Sequence, residues 1–257
     1  MQPKFVPGAV SYEGAMSRGF NAGRALSQDS QSVWRAAFEP YLANAELILD
    51  VGSGTGRFAV LMAEWFGAAV VGVEPARGMR EAALASGRHP KVAYVGGRAE
   101  QMPLGRESMS VAVLSNVYHH LVDRDRTARE LQRVLQPNGR VLIRGAFADR
   151  LGEITLFDHF PEARGVCEQF PRLDETVETF GRAGFEREAV HRVVQRTCDS
   201  LKELAARTRL RADTALVLMT DESFALRQAA LEEAAERETE ATPVVDTLDL
   251  LVVRKTG

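Results

Sequence analysis

From residue 46 to about 145 the hydrophobic positions of this chain fall into short continuous runs separated by segments of helical period. Leu47–Val51, Ala69–Val73, Val92–Val95, Val111–Ser115 and Arg140–Ile143 are predominantly apolar over four or five residues, the pattern of strands buried on both faces. Between them, residues 56–65, 77–86 and 124–136 repeat apolar positions at three and four, and the last segment closes on QPNGR, where Pro137 and Gly139 are stop signals. Strands that alternate with helices need right-handed crossovers, which produce a parallel sheet covered on both faces. The pattern predicts an α/β, doubly wound architecture.

The flanks follow other rules. Residues 1–25 carry Pro3, Pro7, Gly8, Gly14, Gly19 and Gly23 without a sustained period and read as an arm with at most one helix. In SQDSQSVWRAAFEPYL, Ser and Asp caps precede Val33, Trp34, Phe38 and Leu42, the apolar face of a helix. After Arg144 the rhythm breaks into a stretch containing Phe147, Phe157, His159, Phe160 and Phe170, then a helix near 174–183 and a strand near 186–195. Residues 198–240 read as helical, LRQAALEEAAERETE being an acidic solvated face, and VVDTLDLLVVRK reads as a closing strand. The expectation is one domain over 1–257: an arm and helix over 1–44, an alternating core over 45–145, and a helical insertion between the last two strands. Segments 146–172 and 198–240 are expected on the substrate side.

Composition narrows the function classes. A hydrophobic fraction of 45% can fill a substantial core, and a formal charge of -3 gives no global field for nucleic acid or an anionic membrane. The 2 cysteines, Cys167 and Cys198, are too far apart for a disulfide framework or a zinc knuckle. MQPKFVPGAV lacks a signal-peptide pattern, and no apolar run is long enough for a bilayer span. These features point to a cytoplasmic protein without nucleic acid or membrane as partner. No carboxylate cluster has the spacing of a metal site; Asp123 and Asp125 read as caps of the following helix.

The candidate chemistry lies in ILDVGSGTGRFAV, residues 48–60. In an open parallel sheet ligands bind beyond the carboxyl ends of the strands, and this loop sits at such an end. Gly52, Gly54 and Gly56 permit positive φ and close backbone approach, ahead of a helix N-terminus with its N–H groups unpaired. Glu74 ends the second strand 22 positions after Gly52, where it can accept from a ribose diol, so the pairing favours a nucleoside over a bare phosphate. A dinucleotide site is the rival, since GTGRFA matches G-x-G-x-x-A and Glu74 lies 20 residues beyond Gly54. Against it, Gly52 and Ser53 precede that match, and none of Tyr12, Tyr41, Tyr94 or Tyr118 has the lysine four places on that a short-chain dehydrogenase needs.

ILDVGSGTGRF, VVGVEPARGM, VAYVGGRAEQMPL, SVAVLSNVYHHL and RELQRVLQPNGRVLIR resemble, in order and spacing, the successive motifs of class I S-adenosylmethionine-dependent methyltransferases. The likeness is to the small-molecule branch similar to the ubiquinone/menaquinone methylases; it is dense over residues 46–145 and loose outside them. It implies a Rossmann-like methyltransferase fold with a mostly parallel seven-stranded sheet and S-adenosyl-L-methionine as cofactor. It also implies methyl transfer to O, C or N of a small, apolar or aromatic metabolite, of the kind found in secondary metabolism.

Carried over by resemblance, Asp50 would sit near the methionine amino group, and Gly52, Ser53, Gly54 and Gly56 would line the methionine and ribose. Glu74 would hold the ribose hydroxyls, Pro75 and Met79 would flank the adenine, and Ala99 would offer its N–H to a ring nitrogen. Ser115 and Asn116 would pass near the sulfonium. Arg98 stands where the family commonly has Asp; a guanidinium has donors only, so that contact is lost, taken by a carbonyl, or exchanged for stacking. SYEGAMSRGFNAGR resembles the aromatic and arginine pattern ahead of the family's domain, which puts Phe20 over the cofactor and Arg24 near its carboxylate; a surface ion pair is the other reading of Arg24. His119 and His120, after the fourth strand, are candidate general bases or hydrogen-bonding partners of the next loop. His159 reads as part of an aromatic pocket wall, the four phenylalanines of 147–170 as acceptor cavity or core, and His89 and His191 as surface or strand positions. The alternatives are a member that keeps the cofactor in a catalytically repurposed role and an NAD-dependent oxidoreductase.

Overall fold

The continuous apolar runs form five strands, β1 (Leu47–Val51), β2 (Ala69–Val73), β3 (Val92–Val95), β4 (Met109–Ser115) and β5 (Leu135–Gly145). They are seen in a computed structural model that describes residues 3–11, 20–86, 88–241 and 243–256. β6 (Phe185–Cys198) and β7 (Val244–Lys255) complete a seven-stranded sheet of order β3-β2-β1-β4-β5-β7-β6. β1 pairs in parallel with β2 on one side and β4 on the other, so the chain reverses its winding there and a crevice opens at the carboxyl ends of those strands. β7 runs antiparallel to both β5 and β6. One boundary differs from the sequence pattern. The helix α4 (Arg124–Val134), expected to reach 136, stops at Val134 because Leu135 already pairs with Met109; residues 136–139 then loop out before Arg140 pairs with Val111.

Alternation along each strand divides the core between two faces. Ile48, Val70, Val111 and Leu142 face Trp34 and Phe38 of α1 (Gln28–Leu42) and Met62 of α2 (Arg57–Phe66). Leu49, Ala112, Val141 and Leu251 face Leu131 of α4 and Phe180 of α5 (Leu173–Arg182). The hydroxyl of Ser27 accepts from the Ser30 N–H and starts α1, whose Trp34 and Phe38 are wholly buried. A third cluster joins Phe5 to Phe157, Phe160, Leu204, Leu216 and Leu231. It gathers the segment after β5 with the insertion between β6 and β7, which carries α6 (Leu201–Thr208) and α7 (Asp221–Glu236). This cluster meets the strand edge where Phe170 stacks on His119.

The loop from β1 to α2 uses its glycines in different ways. Gly52, Gly54 and Gly56 have φ of 66°, 54° and 76°. A Cβ on Gly52 would lie 2.4 Å from Val117 Cγ2, whereas one on Gly54 would meet nothing within 4 Å and would point into open space. Gly56 does not line the crevice, contrary to its expected place beside methionine and ribose. It faces β3, where a Cβ would fall 1.9 Å from the Tyr94 hydroxyl, and it starts α2 from the left-handed region. Gly56→Ala should therefore destabilise the fold by roughly 2–4 kcal/mol, the left-handed penalty plus overpacking against Tyr94. Gly181→Ala, on α5 with open space around it, should be neutral or stabilise by up to about 1 kcal/mol. Urea unfolding of the two variants checks this, and equal effects would sink the assignment.

Candidate functional site

The crevice holds a cavity of about 640 Å³. Its wall brings together Asp50, Gly52, Ser53 and Gly54 from the first loop, and Glu74, Pro75 and Met79 after β2. Arg98 and Ala99 follow β3, Ser115, Asn116, His119 and His120 end or follow β4, and Phe20 and Arg24 come from the arm. Phe157 and Phe170 are in the wall, but Phe147 and Phe160 are core residues, 2% and 0% exposed. His159 is not in the wall either; it lies half-buried at the end of a short helical turn, Leu156–His159.

Two buried acids set the electrostatics of the loop. Glu74 Oε2 accepts the Gly54 N–H at 3.0 Å and Oε1 accepts the Ala76 N–H at 2.8 Å, so its carboxylate fastens the loop to the end of β2. Asp50, 2% exposed, has an Oδ2 without a partner among the described residues, and Ser53 Oγ likewise has none. Burial, then the charge of Glu74, pushes the Asp50 carboxyl up to about 7. A buried carboxylate oxygen left unpaired at a cavity wall is satisfied by a cationic donor. These features fit S-adenosylmethionine: an ammonium for Asp50, ribose hydroxyls for Glu74, and open space over Gly54 for the ligand itself. Arg98 is exposed and pairs with Glu100 at 3.5 Å. Glu100, its partner, is also in the wall and is a carboxylate acceptor two residues further on.

The arm and the insertion close the other end. Arg24 is ion-paired to Asp213 of the insertion and lines the cavity, so its pairing is not the surface one expected as the alternative. With its amide oxygen turned toward them, Asn116 accepts from Arg24 Nη2 and Arg144 Nη1, each at 2.9 Å. Asn116 has φ 53°, rare for a residue with a side chain and common at functional sites. His119 stacks on Phe170 with centroids 4.1 Å apart, and His120 Nε2 lies 3.1 Å from Thr214 Oγ1. Burial above all, then His120, Arg24 and Arg124, holds His119 well below the ordinary imidazole value. Burial lowers His120 to about 4, with Asp213 opposing and Arg24 assisting. Both rings are neutral at pH 7.

Sequence reasoning missed Arg57, Arg144, Gln195, Asp213 and Asp246, all in the wall. Arg144 had a signal: it is a charge near the end of an apolar strand, at the same sheet edge as Asp50. Asp213 had none, because the insertion folds over the crevice through packing distant in sequence.

Residues 49–143 match the family model for a methyltransferase domain. A ubiquinone/menaquinone biosynthesis C-methyltransferase of Syntrophotalea carbinolica is 34% identical over 130 residues, covering 47% of this chain and 53% of that protein. The chain spans about half the length of several curated relatives it matches. Among solved structures, a candidate methyltransferase from an antibiotic biosynthesis pathway of Anabaena variabilis superposes with a TM-score of 0.71 at 19% identity, over 88% of this chain and 99% of that one. Geranyl diphosphate C-methyltransferase of Streptomyces coelicolor, in complex with S-adenosylhomocysteine, gives 0.55 at 16% identity over 88% and 76%. These two share the fold.

The Asp50 carboxyl has a consequence for stability. Between its unfolded value of 3.8 and its folded value of about 7 the folded chain holds a proton that the unfolded chain has lost, so stability falls as pH rises through that window. Asp50→Asn carries no such dependence. Urea melts should show the variant gaining on the native protein from pH 4 upward and levelling above pH 7, at a difference on the order of 4 kcal/mol. A difference independent of pH would refute the assignment.

Proposed function

We propose that the chain is a class I S-adenosylmethionine-dependent methyltransferase and that it transfers a methyl group from that cofactor to an O, C or N atom of a small, largely apolar or aromatic metabolite. The observation that carries the reading is the unpartnered Oδ2 of buried Asp50, beside a glycine loop with open space over Gly54. When bound, S-adenosylmethionine supplies the electrophilic methyl group. Asp50 would take its ammonium, Glu74 its ribose hydroxyls, Gly52, Ser53 and Gly54 its methionine and ribose, and Pro75, Met79 and the Ala99 N–H its adenine. A cavity of about 640 Å³ is in the size range that holds a nucleoside and a small acceptor together. Phe157, Phe170, Leu204 and Leu216 in its wall suit an apolar body, in keeping with relatives named for carbon methylation in quinone biosynthesis.

The protein's share of the chemistry is to align the acceptor and exclude water. His119 and His120 keep their role as candidate bases in a restricted sense. Imidazoles whose basicity burial lowers would accept a proton only from a strongly acidic group of the acceptor. Ser115 and Asn116 would flank the transfer, and Phe20 would cover the cofactor from the arm. The reading extends to a cytoplasmic reaction without nucleic acid or membrane, which agrees with the formal charge of -3. No helix among the described residues is long and apolar enough to cross a membrane.

Calorimetric titration tests this directly. S-adenosylhomocysteine should bind saturably, NAD and NADH should not, and Glu74→Ala should weaken the affinity at least tenfold. Binding of NADH in place of S-adenosylhomocysteine, or an unchanged affinity in Glu74→Ala, would overturn the reading.

A further inference from the structure

Besides Arg98, which is exposed and pairs with Glu100, four guanidiniums reach the cavity wall: Arg24, Arg57, Arg144 and Arg207. Two are compensated by contact, Arg24 by Asp213 and Arg207 by Glu203. The other two are not. Among the described residues neither Arg57 nor Arg144 makes an ion pair; Arg57 Nη1 and Arg144 Nε are buried and have no hydrogen-bond partner.

Arg144 is 2% exposed, and its remaining donors go to neutral oxygens: Ser115 Oγ at 3.3 Å, Gln195 Oε1 at 2.9 Å and Asn116 Oδ1. Its guanidinium lies 4.2 Å from the Trp34 ring centre and 4.9 Å from that of Phe58, and the Arg57 guanidinium lies 5.5 Å from the same Phe58 ring. The two cations therefore share one aromatic floor. Asp246 also faces the cavity, but it is held by Thr197 Oγ1 at 2.7 Å and is not within ion-pair distance of either. Burial, then Arg24 and Arg207, lowers Arg57 to about 9; burial, then Arg57 and Arg24, lowers Arg144. Two buried, mutually repelling cations with unsatisfied donors are costly unless an anion joins them.

Resting on the methyltransferase reading above, we infer that the methyl acceptor is an anionic amphiphile: a carboxylate or phosphate seated on Arg57 and Arg144, with an apolar body against Phe157, Phe170, Leu204 and Leu216. The cofactor carries a single carboxylate, which the resemblance gives to Arg24, a residue that already pairs with Asp213. Arg57 and Arg144 are cations beyond that need. They would make the acceptor's charged end the element that fixes its orientation, because an apolar wall alone resists sliding weakly.

The test uses protein saturated with S-adenosylhomocysteine, titrated calorimetrically with benzoate, inorganic phosphate and the neutral isostere benzamide. Benzoate or phosphate should bind saturably and at least tenfold more tightly than benzamide, and the two anions separate the carboxylate and phosphate sources. Arg57→Met should lose at least tenfold in anion affinity, Arg57→Lys should recover part of it, and both should bind S-adenosylhomocysteine within about twofold of the native protein. Equal binding of benzoate and benzamide, or no saturable anion binding by 50 mM, would overturn the inference. So would an Arg57→Met variant that loses S-adenosylhomocysteine and keeps the anion, which would give Arg57 to the cofactor. Failure of the native protein to bind S-adenosylhomocysteine would instead strike the methyltransferase reading itself.

Discussion

Asp50 and Glu74, two carboxylates at adjacent strand ends and both nearly excluded from water, impose the constraint around which the rest of the crevice is arranged. They repel at short range in a medium that screens poorly. The fold resolves the conflict unevenly. Glu74 receives two backbone N–H groups, one from the glycine loop and one from the turn after β2. Asp50 is left with an unsatisfied oxygen and a carboxyl biased toward its neutral form. A sheet built only for stability would place hydrophobic residues there. The two acids persist as a standing cost that a ligand with a positive group and hydroxyls relieves, so the least stable part of the edge is the part prepared for binding.

The same cavity also shows the inverse arrangement, with guanidiniums in excess of contacting carboxylates. Asn116 sits among these cations. Its backbone enters the left-handed region directly after β4, and its amide oxygen takes donors from Arg24 and Arg144 together. One cavity wall thus carries both an unsatisfied carboxylate oxygen and unsatisfied guanidinium donors. A ligand pair that brings positive charge to the first and negative charge to the second is oriented before any contact specific to shape is made.

The sequence disclosed the sheet well because its signal is local. Residues buried on both faces must be apolar without interruption, and β1 and β4 are readable for that reason, whereas the edge strand β3 is readable from its short run of strand-forming residues. The start of β5 was not readable, since Leu135 continues the apolar period of α4 while its backbone has already joined Met109. Within the site, residues tied to the strand ends were legible because spacing along the chain fixes them. Gly56 shows the limit of that logic: its left-handed backbone is the same signal as in Gly54, but its close neighbour is Tyr94 and not open space. Phe157 and Phe160 are both phenylalanines of the third cluster and close in sequence, yet only Phe157 also reaches the cavity wall. Which side of a packed layer a side chain joins is decided by elements far away in the chain. Asp213 was invisible as a site residue for the same reason.

The insertion between β6 and β7 gives this architecture a further property. By residue 145 the chain has finished the loop, the strand ends and the acids of the cofactor half; the residues between β6 and β7 hang from two antiparallel partners whose pairing is set by their own long register. The entropy of closing such a connection grows slowly with length, about 0.6 kcal/mol for each doubling. Descendants of this chain can therefore lengthen, shorten or replace the insertion, exchanging Asp213, Thr214, Leu204 and Leu216 for other side chains, while Asp50 and Glu74 stay as they are. Substrate range and cofactor chemistry are separately heritable here, and the hairpin of β6 and β7 is the seam between them.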